Sequence, residues 1–260
     1  MFDLIAAILG ATQPLLLSAI LVFVRVGAMM SLLPGFGETA LNMRLKLAAA
    51  LAVTVLVVPA VDRGALPEDP VFLRLAGLIL AEAGIGLLLG LATRLMVHAL
   101  QLAGSIAAQS TALAQIAGAG VAPDPMPAMG NALMISGIAL AMVLGLHVKV
   151  VIALIASYQA LGFGVLLSGS DVGFWGLNQA VAAFRLGFTL AAPFVIAALL
   201  YNLALGAINL AMPQLMVAFI GAPAITALTL FLFFYAAPLM LSVWSGRLDE
   251  VLAAPLELRR

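Results

Sequence analysis

The chain has 260 residues, of which 65% are apolar and 8% are charged, with a formal net charge of zero and no cysteine. A soluble domain carries about 25% charged residues, so this composition excludes a water-soluble globular protein. The zero net charge leaves no basic patch for nucleic acid, and the lack of cysteine excludes disulfides and thiolate metal sites. Because its apolar runs are long and continuous, we expect an all-α integral membrane protein rather than a barrel.

The apolar runs predict the spanning segments. They cover residues 4–33, 45–61, 71–93, 95–117, 132–167, 179–200 and 203–245. A span requires about 20 apolar residues, so hydropathy predicts six or seven segments, although Pro14, Pro193 and Pro213 interrupt some of them. The 34–46 connection is net positive and the 62–70 connection net negative, which predicts an N-terminus outside and the first connection inside.

Seven ionisable residues lie within these runs or at their ends: Arg25, Arg74, Glu82, Arg94, His147, Lys149 and Arg185. One interpretation is a proton or ion pathway. The other is that they lie near interfaces, snorkel to the membrane surface, or pair with one another or with neighbouring subunits. We favour the second, because Glu82 is the only acid in the set and a relay needs acids and histidines in series. Arg74 is too distant along a helix to pair with it at i,i+4 spacing.

Small residues recur at helical spacing in the next two runs. Gly86 and Gly90 form a G-x-x-x-G motif, and Ala103, Gly104, Ala107 and Ala108 form a second small-residue face. Either pattern predicts close contact between helices. The alternative is chance, because the chain holds 24 glycines and glycine is common in membrane helices.

The 118–127 segment concentrates helix breakers, namely Gly118, Gly120, Pro123, Pro125 and Pro127. Irregular backbone at membrane depth is tolerated only inside protein or beside a wet cavity. The residues alone leave two alternatives open: a re-entrant or pore-blocking loop, and an ordinary turn outside the membrane.

Between Arg185 and Arg247 lie 61 residues without a charged side chain, yet polar and helix-breaking groups run through their middle. On a helix, Asn202, Gly206, Asn209 and Pro213 share one narrow stripe, which Gln214 follows. A carboxamide in hydrocarbon needs a partner, and glycine or proline lets another backbone approach. We therefore predict that this stripe binds other helices.

The sequence offers nothing that predicts an enzyme. His98 and His147 are its two histidines, and neither has a metal-ligand pattern near it. Motifs of the G-x-S-x-G, H-E-x-x-H and P-loop kinds are absent from the sequence. We expect no catalytic residues, metal site or cofactor.

The stretch from Asn202 to Ala224 resembles the C-terminal signature of the FliR/SctT family, the R-type export-gate subunits of flagellar and injectisome type III secretion systems. Around Arg25 the stretch 23–27, followed by Pro34, Gly35 and Phe36, is similar to the opening pattern of that family. Between them, 103–109, Asp124-Pro125 and 145–147 fall in the expected order, so the resemblance covers nearly the whole chain.

This resemblance implies long, broken helices in hairpins, built into a helical, conical assembly around a central channel. Residues 1–178 would be similar to a P-type subunit, and residues 179–260 would form a hairpin like that of a Q-type subunit, turning near Pro213 and Gln214. The loop at about 114–127 would be the plug that closes the channel, formed by Ala114, Gln115, Ile116, Gly118, Gly120, Asp124, Pro125 and Met126.

The implied function is a gating subunit that passes unfolded flagellar proteins across the bacterial inner membrane at the basal body. Its implied partners are P-type and Q-type subunits and the FlhB-type and FlhA-type export components, with no nucleic acid. An injectisome export gate is the alternative within the family. A secondary transporter or solute channel is the alternative outside it, and it predicts two related halves, for which the sequence shows no convincing repeat.

Overall fold

The computed structural model describes residues 2–37, 42–62, 72–116, 128–212, 217–254 and 256. Helices occupy most of these residues, and none of them lies in a strand, which confirms the predicted all-α membrane protein. A single 3₁₀ turn, Val58–Ala60, follows the second helix. The helices are α1 (Phe2–Leu32), α2 (Met43–Val57), α3 (Phe72–Ile116), α4 (Ala128–Val143), α5 (Leu146–Ala160), α6 (Gly169–Ala211) and α7 (Val217–Ala253).

Five of the described helices are long and apolar enough to cross a membrane, or six if α4 and α5 together make one span. The count of six reaches the lower end of the predicted six or seven, and the count of five falls below it. The runs 71–93 and 95–117 form one helix of 45 residues, because a single charged residue, Arg94, does not break a helix. Helices α1 and α6 likewise continue through Pro14 and Pro193.

The predicted run 132–167 is divided instead. Gly145 has a φ of +81° and forms the N-cap of α5, and the chain bends there by 74° between α4 and α5. The amides of Val148 and Lys149 donate to the carbonyl of Gly145 at 2.9 and 3.1 Å, which starts the new helix. Glycine adopts the left-handed backbone conformation at little energetic cost. The chain can therefore bend sharply at Gly145 without a polar residue that would interrupt the apolar run.

The chain forms two compact units. The first comprises residues 1–94, 144–179 and 248–260, and the second comprises residues 95–143 and 180–247. In the first unit α2 packs against α1 and α5. The predicted boundary between residues 178 and 179 lies inside α6, and the resemblance of the two parts to P-type and Q-type subunits stays a prediction.

In the first unit, the G-x-x-x-G motif is the contact between α3 and α1. A Cβ at Gly86 would collide with the carbonyl oxygen of Arg25, and one at Gly90 would stand 2.6 Å from the carbonyl oxygen of Met29. Both obstacles are backbone atoms, so the helices can approach this closely only with glycine at these positions. The prediction of close contact between helices is therefore confirmed for this motif.

In the second unit, the other small-residue face brings α3 against α4. A Cβ at Gly104 would stand 2.5 Å from the Cα of Gly130, and Ala103 and Ala107 are fully buried. Nearby, the indole nitrogen of Trp244 on α7 donates to the carbonyl of Met96 at 2.7 Å. Each unit is thus held by backbone contacts through small residues.

Candidate functional site

The close contact between α1 and α3 brings two charged side chains together inside the first unit. Glu82 lies one helical turn before Gly86, whose missing side chain lets the α1 backbone come near. Arg25 donates to both carboxylate oxygens of Glu82, from Nε at 2.7 Å and from one terminal nitrogen at 3.1 Å. Both side chains are fully buried, so this is a bidentate ion pair sealed inside the bundle.

Helix α5 completes the surroundings of this pair. The other terminal nitrogen of Arg25 donates to Ser157 Oγ at 3.0 Å, and the Tyr158 hydroxyl donates to Glu82 Oε2 at 3.0 Å. The guanidinium carbon lies 3.6 Å from the centre of the Tyr158 ring, a cation–π contact, and Phe163 packs against the same ring. We call Arg25, Glu82, Ser157 and Tyr158 the buried polar cluster.

The buried polar cluster also holds the connection between α5 and α6. Arg25 donates to the carbonyl of Leu161 at 3.2 Å, and Glu82 Oε1 accepts a hydrogen bond from the amide of Gly164 at 3.1 Å. Gly164 has a φ of +70°, and a Cβ there would collide with Leu78. Hydrogen bonds to its backbone therefore fix the connection, and the conformation at Gly164 requires glycine.

The chemistry open to this cluster is limited, because the Glu82 carboxylate is saturated with hydrogen bonds. Each oxygen of Glu82 accepts two hydrogen bonds, one from Arg25 and one from another donor. An exposed pair, Lys149 with Asp249 at 2.6 Å, accounts for another of the predicted ionisable residues. The interpretation that such residues pair with one another is confirmed for Arg25 and Glu82, whereas Lys149 pairs with Asp249, which lies outside the predicted set.

Metal chemistry has no visible site in the described part of the chain. No group of three or more His, Cys, Asp or Glu side chains there could hold a metal ion. His98 is exposed, with Nδ1 3.1 Å from Gln101 Oε1. A groove of about 350 Å³ beside it, between α3 and α6 of the second unit, is lined mostly by apolar side chains.

The predicted stripe lies on the exposed C-terminal third of α6. Asn202, Gly206 and Asn209 are exposed, and a Cβ at Gly206 would meet nothing within 4 Å. Exposure is not confined to the stripe, because every residue from 202 to 211 except the half-buried Leu205 is exposed. Pro213 and Gln214 lie outside the described residues.

The two arms of the predicted hairpin are α6 and α7. The Tyr201 hydroxyl on α6 donates to the carbonyl of Gly221 on α7 at 2.6 Å, and Phe194 lies 6.4 Å from Phe233 between ring centres. The helices end and begin at Ala211 and Val217, which brackets the predicted turn at Pro213 and Gln214.

The other predicted site residues fall into two groups. Pro34, Gly35 and Phe36 form a turn at the end of α1, with Gly35 at a φ of +83° and the Phe36 amide donating to the carbonyl of Leu33 at 3.2 Å. In the plug, Ala114, Gln115 and Ile116 form the last turn of α3. Its remaining predicted members lie outside the described residues: Gly118, Gly120, Asp124, Pro125 and Met126.

Comparison with known proteins matches residues 16–251 to a family described as bacterial export proteins, family 1. The chain is 30% identical over 235 residues to the flagellar biosynthetic protein FliR of Caulobacter vibrioides, covering 90% of this chain and 94% of that relative. It is 31% identical over 205 residues to the protein of the same name in Pectobacterium carotovorum subsp. carotovorum, covering 77% of each.

Proposed function

The chain belongs to the FliR family, family 1 of the bacterial export proteins, and we propose that it is a gating subunit of the flagellar type III export gate. Family membership indicates a flagellar protein export component, and the match over residues 16–251 is the observation that carries the proposal. In this role the chain helps to form the channel through which unfolded flagellar proteins cross the inner membrane. The names of both relatives favour the flagellum over the injectisome.

The length and exposure of the helices support assembly with other subunits. Helices α6 and α7 have 43 and 37 residues, so at 1.5 Å per residue they are about 64 and 55 Å long. A hydrocarbon core is only about 30 Å thick, so lipid alone cannot cover their exposed apolar surface. We propose that P-type and Q-type subunits cover it, and that FlhB-type and FlhA-type components join the same complex.

The proposed function is tested by an in-frame deletion of the gene, with motility and secretion of hook and filament proteins as readouts. Both should be lost and should return when the wild-type chain is supplied. Normal secretion in the deletion strain, with the other export subunits present, would overturn the proposal.

We predict that Asn209→Leu weakens association with the Q-type subunit. The substitution removes the exposed carboxamide and leaves its partner in the interface without a hydrogen bond, which costs about 1–3 kcal/mol and weakens association by about 5- to 150-fold. The measurement is the Q-type to R-type ratio after tag purification in detergent. Leu210→Ala, at the neighbouring exposed position, measures the loss from apolar contact alone, so the amide assignment requires a larger loss for Asn209→Leu, and an unchanged ratio for Asn209→Leu would contradict it.

We predict that deleting residues 114–127 opens the channel at rest. If this segment is the plug, its removal makes the inner membrane conduct ions while the complex still assembles. The measurement is conductance of the purified complex in planar bilayers, together with subunit stoichiometry. Conductance equal to that of the intact complex, with stoichiometry preserved, would show that the plug lies elsewhere.

A further inference from the structure

The connection between α5 and α6, residues 161–168, is held by a buried ion pair that comes from two other helices. We propose that Arg25 and Glu82 are positioning residues for export, which set the direction in which α6 begins by holding the backbone of this connection. The proposal rests on the proposed function, because α6 is an arm of the hairpin that we expect to meet other export subunits. It concerns the first turns of α6, residues 169–179, which belong to the same compact unit as the pair.

The pair makes backbone bonds that apolar side chains could not supply. A buried ion pair stabilises a fold no better than well-packed apolar residues, because both charges lose their hydration. Apolar residues at positions 25 and 82 could therefore hold α1 against α3, where the G-x-x-x-G motif already allows close contact. They could neither donate a hydrogen bond to the carbonyl of Leu161 nor accept one from the amide of Gly164. The charges are thus needed for the connection more than for the contact between α1 and α3.

The two anchored backbone groups have opposite polarity and lie three residues apart. The carbonyl of Leu161 requires a donor, which Arg25 supplies at 3.2 Å. The amide of Gly164 requires an acceptor, which Glu82 supplies at 3.1 Å. Both side chains of the pair are fully buried, so neither charged group can turn to water without opening the bundle. A donor and an acceptor bound to each other therefore fix both ends of one turn.

The local sequence does not force this bend. Residues 128–192 contain no proline, so no missing amide or fixed ring ends α5 before the connection. The two glycines at 162 and 164 disfavour a helix there but do not forbid one. Phe163 packs against the ring of Tyr158, an apolar contact that has no fixed direction. The backbone bonds to the ion pair are therefore what fixes the direction in which α6 begins.

The first test measures the distance between α5 and α6 with spin labels. The chain has no cysteine, so Val148→Cys on α5 and Leu177→Cys on α6, both at exposed positions, give unique labelling sites. Double electron–electron resonance on the purified full chain in detergent should show one narrow distance. Adding Arg25→Met with Glu82→Met removes both backbone bonds, so the distance should shift or broaden by about 5 Å, the pitch of one helical turn. An unchanged distance in this double variant would overturn the proposal.

Two further variants separate positioning from stability. Leu154→Ala, at a fully buried position on α5, should lower the thermal midpoint and leave the distance unchanged, because both backbone bonds remain. Arg25→Lys keeps the charge beside Glu82, but an ammonium has three donors for the four acceptors that Arg25 serves. It should broaden the distance even if the double variant fails to accumulate. Equal changes of distance in Leu154→Ala and Arg25→Lys would mean that the distance follows stability, and would overturn the proposal.

The second test measures secretion of hook and filament proteins by the gene-deletion strain carrying each variant, divided by the amount of the chain in the membrane. We expect a fall of at least about tenfold for the double variant, and the wild-type value for Leu154→Ala. Wild-type secretion by a double variant whose spin-label distance has shifted would overturn the positioning role. If the wild-type chain restores secretion to the deletion strain, the proposed function stands whichever result the variants give.

Discussion

Glu82→Ala is expected to destabilise the purified chain by about 3–5 kcal/mol, because it leaves the Arg25 charge buried without its counter-ion. The thermal midpoint in detergent should fall by on the order of 10 °C, measured by intrinsic fluorescence. The same change removes the acceptor of the Gly164 amide, so the connection after α5 loses one of its two anchors.

A double variant separates the charge from the packing. Arg25→Met with Glu82→Met leaves no unpaired charge, so it should be more stable than Glu82→Ala, while the Gly164 amide and the Tyr158 hydroxyl still lose their acceptor and keep it below the wild type. Tyr158→Phe keeps the ring over the guanidinium and loses one hydrogen bond, which should cost about 1 kcal/mol. A Glu82→Ala midpoint equal to that of the wild type would contradict the buried ion pair.

Gly86→Leu should be the most damaging single change on the α3 face. Its Cβ meets the carbonyl oxygen of Arg25 and stands 2.8 Å from the Cβ of Ala28, so α1 must move away from α3. Because Glu82 is one turn away on the same face, that movement also breaks the ion pair. We expect a loss of about 3–5 kcal/mol or failure to accumulate in the membrane.

The matched control lies two residues away. Gly84 is on the same helix, and a Cβ there would meet nothing within 4 Å. Gly84→Leu should therefore be much less damaging than Gly86→Leu, and its better helix propensity should add up to about 1 kcal/mol of stability. If Gly84→Leu and Gly86→Leu have equal effects on membrane yield and thermal midpoint, the close α1–α3 contact is wrong.

Composition and small-residue spacing predicted the fold class and one contact surface, because both are local properties. A chain with so few charged residues is expected to place its helices in a membrane. Gly86 and Gly90 are four residues apart, so they lie on the same face of a helix. Which helix they meet depends on tertiary packing, so α1 could not be named as the partner. The bend at Gly145 escaped hydropathy for a related reason: glycine is apolar enough to leave the run unbroken.

The buried polar cluster was only half predictable. Sequence reasoning marked Arg25 and Glu82 as costly at membrane depth and favoured pairing, but compared Glu82 only with Arg74. The true partners are 57 residues apart and meet through an interhelical contact. The sequence did hold one indication that Arg25 and Glu82 are partners, namely their similar depth. Both lie about 10–15 Å inside apolar spans, where ionisable side chains pair with one another. Nothing local pointed to Ser157 or Tyr158.

The separation of the Arg25–Glu82 pair along the chain has a consequence for biosynthesis. A ribosome adds about 5–20 residues per second, so the 57 residues between the partners take about 3–11 s to synthesise. During that interval α1 carries a lone arginine, whose insertion at a helix centre costs about 2.5–3.5 kcal/mol. Ser157 is made later still, 132 residues after Arg25. The nascent α1 therefore carries an uncompensated charge until α3 is made and Glu82 can pair with it.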